Sequence, residues 1–324
     1  QKTEEIIFTR GTTDSINIVA TTFGKAFVTH GDEVLISQIE HHSNIVPWQM
    51  MCEERGAQLR VIPVDDDGEI IIEEYARLLN EKTKIVAITH IANSIGTVNP
   101  IKTITAMAHN VGAKVLADGA QSAPHIPVDV QDLDVDFFVC SGHKMYGPTG
   151  VGILYGKESL LETMPPYQGG GDMIDTVTFA KTTYNTLPIK FEAGTPMIAQ
   201  IIGLGAALDY INSIGLPAIQ SYEHELLMFA QTQLERIDGL RIIGQAKNKG
   251  AIISFVVDGV HPMDIGTMLD LKGVAVRTGH HCAQPTMARF GVSATVRVSF
   301  SIYNTIEEIE RFVVLLQEVL TVLR

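Results

Sequence analysis

Four stretches of this sequence carry residue types that could do chemistry together. Lys144 stands at the end of Ser141-Gly142-His143-Lys144, directly after the apolar run Val135–Cys140. A lysine at the end of a buried strand loses proton affinity in a dry pocket and becomes an amine nucleophile fit for Schiff-base chemistry. Asp118, in Ala117-Asp118-Gly119-Ala120-Gln121, ends another apolar run. A carboxylate there needs a cation, because an unpaired buried charge is expensive. A protonated heterocyclic nitrogen serves, and so does a neighbouring Lys or Arg. Arg10-Gly11-Thr12-Thr13-Asp14 lies between a strand and a helix. Its glycine permits close backbone approach, the hydroxyls of Thr12 and Thr13 can donate, and the first helical N–H groups favour an anion. The same five residues also read as an ordinary capped helix, with Thr13 or Asp14 as the cap. Taken in chain order, a phosphate cradle, a buried acid and a strand-end lysine are the three contacts that pyridoxal phosphate requires.

The fourth stretch holds a thiol. Of the three cysteines, Cys52 falls in an amphipathic helical segment and Cys140 in a buried strand, where cysteine acts as a small hydrophobe. Cys282 follows Gly279-His280-His281 in a polar loop that leaves its thiolate exposed and reactive. Arg277 lies beside that loop and reads equally as a substrate contact or as one half of a structural ion pair. His42, His280 and His281 read as polar loop residues as readily as functional ones.

The elements that must position these residues come in a strand–helix rhythm. Short apolar runs at Ile6–Phe8, Glu33–Ser37, Leu59–Val64, Lys84–Thr89, Lys114–Ala117, Val135–Cys140 and Val151–Tyr155 read as strands. Helical spacing appears around residues 16–27, 47–54, 71–79 and 104–110. Continuous β-branched runs with helices between several of them predict a mostly parallel sheet covered on both faces. The rhythm breaks at 165–196, a Gly- and Thr-rich excursion with little helical pattern. It resumes with helices over 198–211 and 218–237, strands at 240–243, 252–257, 274–277 and 295–300, and a helix at 263–271. A last helix follows with a capping box at Thr305 and Glu308. The simplest division is a large domain over 1–214 and a small α+β domain over 215–324 that carries the cysteine loop.

Composition narrows the partners. Of 324 residues 45% are hydrophobic and 19% charged, which suits a folded chain with a sizeable core. The net charge of −13 repels phosphate backbones and anionic lipid, so neither nucleic acid nor membrane is expected as a partner. No run approaches the roughly 18 apolar residues of a membrane span. The absence of CxxC pairs points to a reducing compartment, and no metal site is expected. The chain begins at Gln1 and enters a strand almost at once, so it is expected to start partway through its natural fold.

The motifs FTRGTTDSIN, SQIEHHSNIVPWQ, ITHIANSIGTVNP, LADGAQSAPH, VCSGHKMYGPTGVGILYG, FEAGTP, VRTGHHCAQP and VRVSFSIYNT run from residue 8 to 305. In them the chain resembles the class V aminotransferase-fold enzymes, and specifically the SufS-type (group II) cysteine desulfurases. SGHK and ADGAQ mark the broad family; RTGHHCAQP is far more specific, because it places a cysteine on the substrate side. The resemblance implies a pyridoxal-phosphate-dependent transferase fold of type I, with a mostly parallel sheet of the seven-stranded type and a smaller α+β C-terminal domain. It also implies helices ahead of the phosphate motif, which only nine residues precede here.

By the same resemblance Lys144 forms the imine, Asp118 faces the pyridine nitrogen and Gln121 the phenolic oxygen. His41 stacks on the ring with Asn93 nearby. Thr12, Thr13, Ser141 and His143 hold the phosphate, Thr195 reaches the phosphate of the partner subunit in a homodimer, and Arg297 with Asn93 binds the substrate. Cys282 accepts sulfur as a persulfide while L-cysteine becomes L-alanine, its loop mobile enough to pass that sulfur on. The implied setting is cytoplasmic iron–sulfur cluster assembly, with an acceptor protein of the SufE or SufU type. The runners-up are a selenocysteine lyase, another class V enzyme, or a non-catalytic dimeric scaffold.

Overall fold

The computed structural model describes residues 2–324. The chain opens with β1 (Ile6–Thr9), α1 (Thr12–Phe27), β2 (Glu33–Ser37), α2 (Val46–Arg55), β3 (Gln58–Ile62) and α3 (Ile72–Leu78). It continues through β4 (Thr83–Thr89), α4 (Ile101–Asn110), β5 (Lys114–Asp118), β6 (Phe137–Ser141) and β7 (Gly152–Gly156). These strands make one seven-stranded sheet in the order β1-β7-β6-β5-β4-β2-β3. Pairing is parallel from β3 through β6, and β7 runs against both β6 and β1.

The continuous apolar runs have a direct structural reading. Successive strand side chains point to opposite faces. Val86, Ile88, Val115, Ala117, Phe138 and Cys140 therefore enter one core, and Ile85, Ala87, Leu116, Phe137 and Val139 enter the other. Helices cover both faces, and each fully buried aliphatic side chain contributes about 1.5–3 kcal/mol. Parallel strands also bring their carboxyl ends to one edge of the sheet. Ser37, Thr89, Asp118 and Ser141 are the last residues of β2, β4, β5 and β6; His41, Asn93, Gln121, His143 and Lys144 follow these ends, and Thr12 and Thr13 follow β1. Ligands in open α/β sheets bind at this edge.

Beyond the sheet come α5 (Glu158–Thr163), a hairpin of β8 (Ile174–Val177) and β9 (Thr182–Tyr184), α6 (Ile198–Ile214) and α7 (Leu216–Leu234). The hairpin occupies the expected excursion. Its strands carry few apolar residues and are mostly exposed, so hydrophobic periodicity does not announce them. No single helix among the described residues is long and apolar enough to cross a membrane.

The remainder is β10 (Leu240–Ile243), β11 (Ile252–Val257), α8 (Pro262–Leu271), β12 (Arg277–Gly279), α9 (Gln284–Arg289), β13 (Thr295–Ser299) and α10 (Ile306–Leu323). Its strands form an antiparallel sheet, β10-β11-β13-β12. A third core joins this sheet to α8, α10 and α7 from Leu226 onward, while Ile219 of α7 packs into the first core. The Thr305–Glu308 capping box of α10 forms as its residues predict.

Two local readings need correction. The strand expected at 274–277 begins only at Arg277, because Val274 closes the end of α8 by donating to the Leu269 carbonyl. α9 is unanticipated. It is a six-residue helix starting two positions after Cys282, too short to display a helical period.

Candidate active site

The first structural surprise is at Gly11. α1 begins at Thr12, and its N-cap is Gly11 with φ 145°, which supplies no capping side chain of its own. Neither Thr13 nor Asp14 is the cap. Asp14 instead accepts from the Arg10 N–H and pairs with the Arg10 guanidinium. The Ser141 hydroxyl sits 2.8 Å from both the Thr12 N–H and the Thr12 hydroxyl, which ties the helix start to the end of β6. A Cβ on Gly11 would lie 3.2 Å from Ser141 Oγ, and one on Gly152 only 2.4 Å from Gly11 Cα. Gly152 is therefore required by close approach and Gly11 by its positive φ. The result is a cleft of about 550 Å³ at the start of α1, lined by Arg10, Gly11, Thr12, Thr13, Asp14, Asn17, Ser141, His143 and Tyr167, with Asp14 neutralised by Arg10, a favourable place for a phosphate. Asn17 was available to sequence reasoning as the i+4 neighbour of Thr13. Tyr167 was not, since it comes from the irregular excursion.

Asp118 is 3% exposed, and its carboxylate accepts from the Ala120 N–H at 2.9 Å. No Lys, Arg or His among the described residues makes an ion pair with it. Burial pushes its carboxyl above the usual range, opposed by the Ala120 hydrogen bond and by the charge of Lys144. Gln121 follows in the same turn, half-buried. Lys144 lies in a short helical turn after β6 and lines a cleft of about 240 Å³ with Tyr146, His125 and Ser299. Its Nζ has no hydrogen-bond partner among the described residues. Burial lowers its proton affinity and Asp118 partly restores it, with Arg297, Arg277 and Cys282 also within electrostatic reach.

His41 begins the turn that follows β2. The Ser43 N–H donates to His41 Nδ1 at 3.1 Å, so the proton of the neutral ring resides on Nε2. Burial, the Lys144 charge and its neighbours lower His41 to about 4, and a neutral ring suits a place beside a cationic heterocycle. Asn93 Nδ2 donates to the His281 carbonyl at 2.8 Å, while its buried Oδ1 has no partner.

The cysteine loop docks onto this edge. The His42 N–H donates to the Cys282 carbonyl at 2.7 Å, and the Gln284 N–H donates to His42 Nε2 at 3.2 Å. His281 is buried and bonded to Thr295 Oγ1 at 2.8 Å, while His280 Nδ1 accepts from the Cys282 N–H. His281 and Cys282 both have positive φ, 56° and 57°. The loop expected to be mobile is short and tied at several points. Cys282 is partly exposed, and Arg277 Nη2 lies 3.6 Å from its sulfur. Cys52 and Cys140 are buried, with their thiols pushed up to about 11 and about 12.

Arg277 pairs with no carboxylate among the described residues, which removes the structural-pair reading. It stands directly opposite Arg297 in the β12–β13 register. Arg297 Nη1 donates to the Asn93 carbonyl at 2.9 Å, and its buried Nε has no partner. Burial and the Arg277 charge lower Arg297 to about 10. Like charges placed opposite one another destabilise a sheet, so two guanidinium groups with no carboxylate partner among the described residues make a prepared anion site. Thr195 stands apart, exposed in another cleft with Arg10, Asp14 and Tyr167.

These features fit pyridoxal phosphate: a buried carboxylate lacking its cation, a desolvated amine lacking an acceptor, an orphaned buried Asn93 Oδ1, and a hydroxyl-lined helix start. The fold and site define a class V aminotransferase-type enzyme that uses this cofactor, and the chain belongs to that family, whose model, aminotransferase class V, matches residues 1–312. Within it the relatives are specific. The chain is 53% identical over 319 residues to a cysteine desulfurase of Synechococcus elongatus, covering 98% of this chain and 51% of that one. It is also 53% identical over 317 residues to the cysteine desulfurase of Shigella flexneri, covering 98% and 78%. The crystal structure of the Escherichia coli cysteine desulfurase CsdA superimposes with a TM-score of 0.96 at 38% identity, covering 99% of this chain and 80% of that one. The protein C-DES, whose structure carries glycine covalently linked to pyridoxal phosphate, aligns with a TM-score of 0.84 at 26% identity, covering 97% and 80%. This chain is a homologue of the cysteine desulfurases.

Proposed function

We propose that this chain is a pyridoxal-phosphate-dependent cysteine desulfurase that takes sulfur from L-cysteine onto Cys282 and releases L-alanine. The observation that carries this reading is convergence: Asp118 and the Ser141–Lys144 turn end neighbouring strands, Arg297 donates to the Asn93 carbonyl beyond β4, and the Cys282 carbonyl accepts from His42 beyond β2. Thr12, Thr13, Ser141 and His143 hold the cofactor phosphate, Asp118 its ring nitrogen and Gln121 its phenolic oxygen, with His41 and Asn93 at the ring. Lys144 is the point of attachment. When bound, the cofactor supplies an electron sink for cleavage at the Cα of the amino acid.

The chain's own residues do the rest. Arg297 takes the substrate carboxylate through a guanidinium fork that lysine cannot reproduce. Lys144, kept by burial below its ordinary proton affinity, accepts the Cα proton and returns it. The Cys282 thiolate attacks the substrate sulfur, so that a sulfur–sulfur bond forms as the Cβ–sulfur bond breaks. The persulfide stays on Cys282, and Cβ receives the proton that the substrate thiol gives up. Arg277 Nη2 lies 3.6 Å from the Cys282 sulfur, within reach of a hydrogen bond to it.

A large domain over 1–214 would hold the cofactor and a small domain over 215–324 the cysteine. In a homodimer Thr195 would meet the partner's phosphate. The reading extends to cytoplasmic iron–sulfur cluster assembly with a SufE- or SufU-type acceptor. The test is alanine and sulfide release from L-cysteine by the cofactor-loaded protein with a reducing thiol present. Cys282→Ala is expected to keep the cofactor spectrum and lose alanine release at least 100-fold; turnover within threefold of the parent would overturn Cys282 as acceptor.

A further inference from the structure

Glu40 is fully buried and belongs to no step described so far. It lies between β2 and the turn that carries His41 and His42. Three elements converge on its carboxyl. The Ser37 hydroxyl, at the end of β2, donates to Oε1 at 2.5 Å. The Asn44 amide donates to Oε2 at 2.7 Å, and the Asn44 carbonyl oxygen accepts from Trp48 Nε1 of α2 at 2.9 Å. The Thr89 N–H, at the end of β4, reaches both oxygens at 3.0 and 2.9 Å. Among the described residues no cation joins the cluster.

From this geometry we infer that Glu40 is a positioning residue, a side-chain clamp that sets where His41 stands over the cofactor ring. The turn from β2 into α2 has few backbone ties of its own to the sheet, yet it must place His41 to within a fraction of an ångström to stack a ring. Glu40 supplies that tie by locking the turn to the ends of β2 and β4. The reach extends one strand further, because Thr89 is the register partner of Asp118 on β5. A hydrophobic residue at 40 would fill the space but leave Ser37, Asn44 and Thr89 with unsatisfied donors. A positively charged residue would meet the Asn44 and Thr89 donors head on. Burial raises Glu40 to about 8 and Asp118 adds to the rise, while the hydrogen bonds from Ser37, Asn44 and Thr89 oppose it.

The inference rests on the reading that His41 stacks on the cofactor, and the experiment separates the two. Glu40→Gln, His41→Ala and the double variant are loaded with pyridoxal phosphate and compared by visible circular dichroism per bound cofactor, by cofactor dissociation constant and by kcat against KM for L-cysteine. Glutamine retains an acceptor for Thr89 but turns an NH2 group toward Ser37 or Asn44, so the fold survives and the clamp loosens. The expected result for Glu40→Gln is a changed visible dichroic band, three- to tenfold weaker cofactor binding and a kcat loss of three- to thirtyfold with KM within twofold. In the His41→Ala background the same substitution is expected to change kcat and the band by less than twofold. A purely structural role would lower the melting temperature of the cofactor-free protein and leave the band per bound cofactor alone; that result overturns the inference. Full additivity with His41→Ala overturns it too. A His41→Ala variant with an unaltered band removes the stacking reading itself, and the inference falls with it.

Discussion

Replacing Arg297 tests the substrate side most directly. Its Nη1 is committed to the Asn93 carbonyl at 2.9 Å, and its buried Nε has no partner. The free edge of the guanidinium is thus available for two parallel bonds to a carboxylate. A hydrogen bond to a charged group is worth about 1.5–3 kcal/mol, so losing both costs roughly 3–6 kcal/mol. At about 1.4 kcal/mol per decade, Arg297→Ala should lower kcat/KM for L-cysteine by about 10² to 10⁴. Arg297→Lys keeps a charge but only one bond, and should lose roughly 10- to 100-fold. L-Cysteinamide carries no carboxylate and is the control: the parent should use it poorly, and Arg297→Ala should change its kcat/KM by less than threefold. The assay is alanine or alaninamide release across a concentration series. Equal losses on both substrates would refute the reasoning, since the effect would then have nothing to do with the carboxylate.

Two more outcomes follow from the same geometry. Lys144→Ala should bind pyridoxal phosphate without the lysine-dependent visible absorption band and show no turnover; a band like the parent's would remove Lys144 from the attachment point. The pH dependence of stability has a definite sign. His41, His90 and His281 are each lowered to about 4, so between the unfolded value of about 6.5 and 4 they take up protons mainly on unfolding, which erodes stability as pH falls. Glu40, raised to about 8, and Asp118, also raised, hold protons preferentially in the folded state and act in the opposite direction. His42 and His143 are lowered as well, so the histidines outnumber the raised carboxyls and stability falls as the pH drops from 6.5 toward 5.5. Urea denaturation of the cofactor-free protein at pH 6.5 and 5.5 measures it; stability that rises toward pH 5.5 would contradict it.

The sheet was legible because both of its faces are buried, and runs such as Ile85–Thr89 and Val135–Cys140 are then apolar without interruption. Lys144, Asp118 and Cys282 were legible for a related reason, since a charged or reactive residue beside such a run has few casual explanations. Exposed or very short elements were not legible. The β8–β9 hairpin lacks an apolar face, and α9 is shorter than two helical turns. The helix start at Gly11 shows a different limit. Gly-Thr-Thr-Asp looks like a cap by residue type, but its geometry is decided by Ser141, 129 positions away in sequence. Glu40 and the Arg277–Arg297 opposition were hidden for the same reason. Each depends on which strand ends are neighbours, and chain order does not display that.

The tied cysteine loop carries its own consequence for how sulfur leaves. A loop that swings needs weak anchors, whereas here the Cys282 carbonyl accepts from His42 at 2.7 Å and the Asn93 amide holds the His281 carbonyl at 2.8 Å. Two successive residues with positive φ, His281 and Cys282, add backbone strain that persists only because these partners over-determine the conformation. Under the proposed function, a loop held this way would require the sulfur acceptor to come to Cys282 instead of receiving a swung arm. Amide hydrogen exchange provides the measurement. Among the described residues the His42 N–H should exchange as slowly as the amides of α2, at least 100-fold slower than an open loop, because its exchange requires the cysteine loop to release it. Exchange at the rate of an unprotected amide would mean that the loop is detached much of the time, and the fixed-loop account would fail.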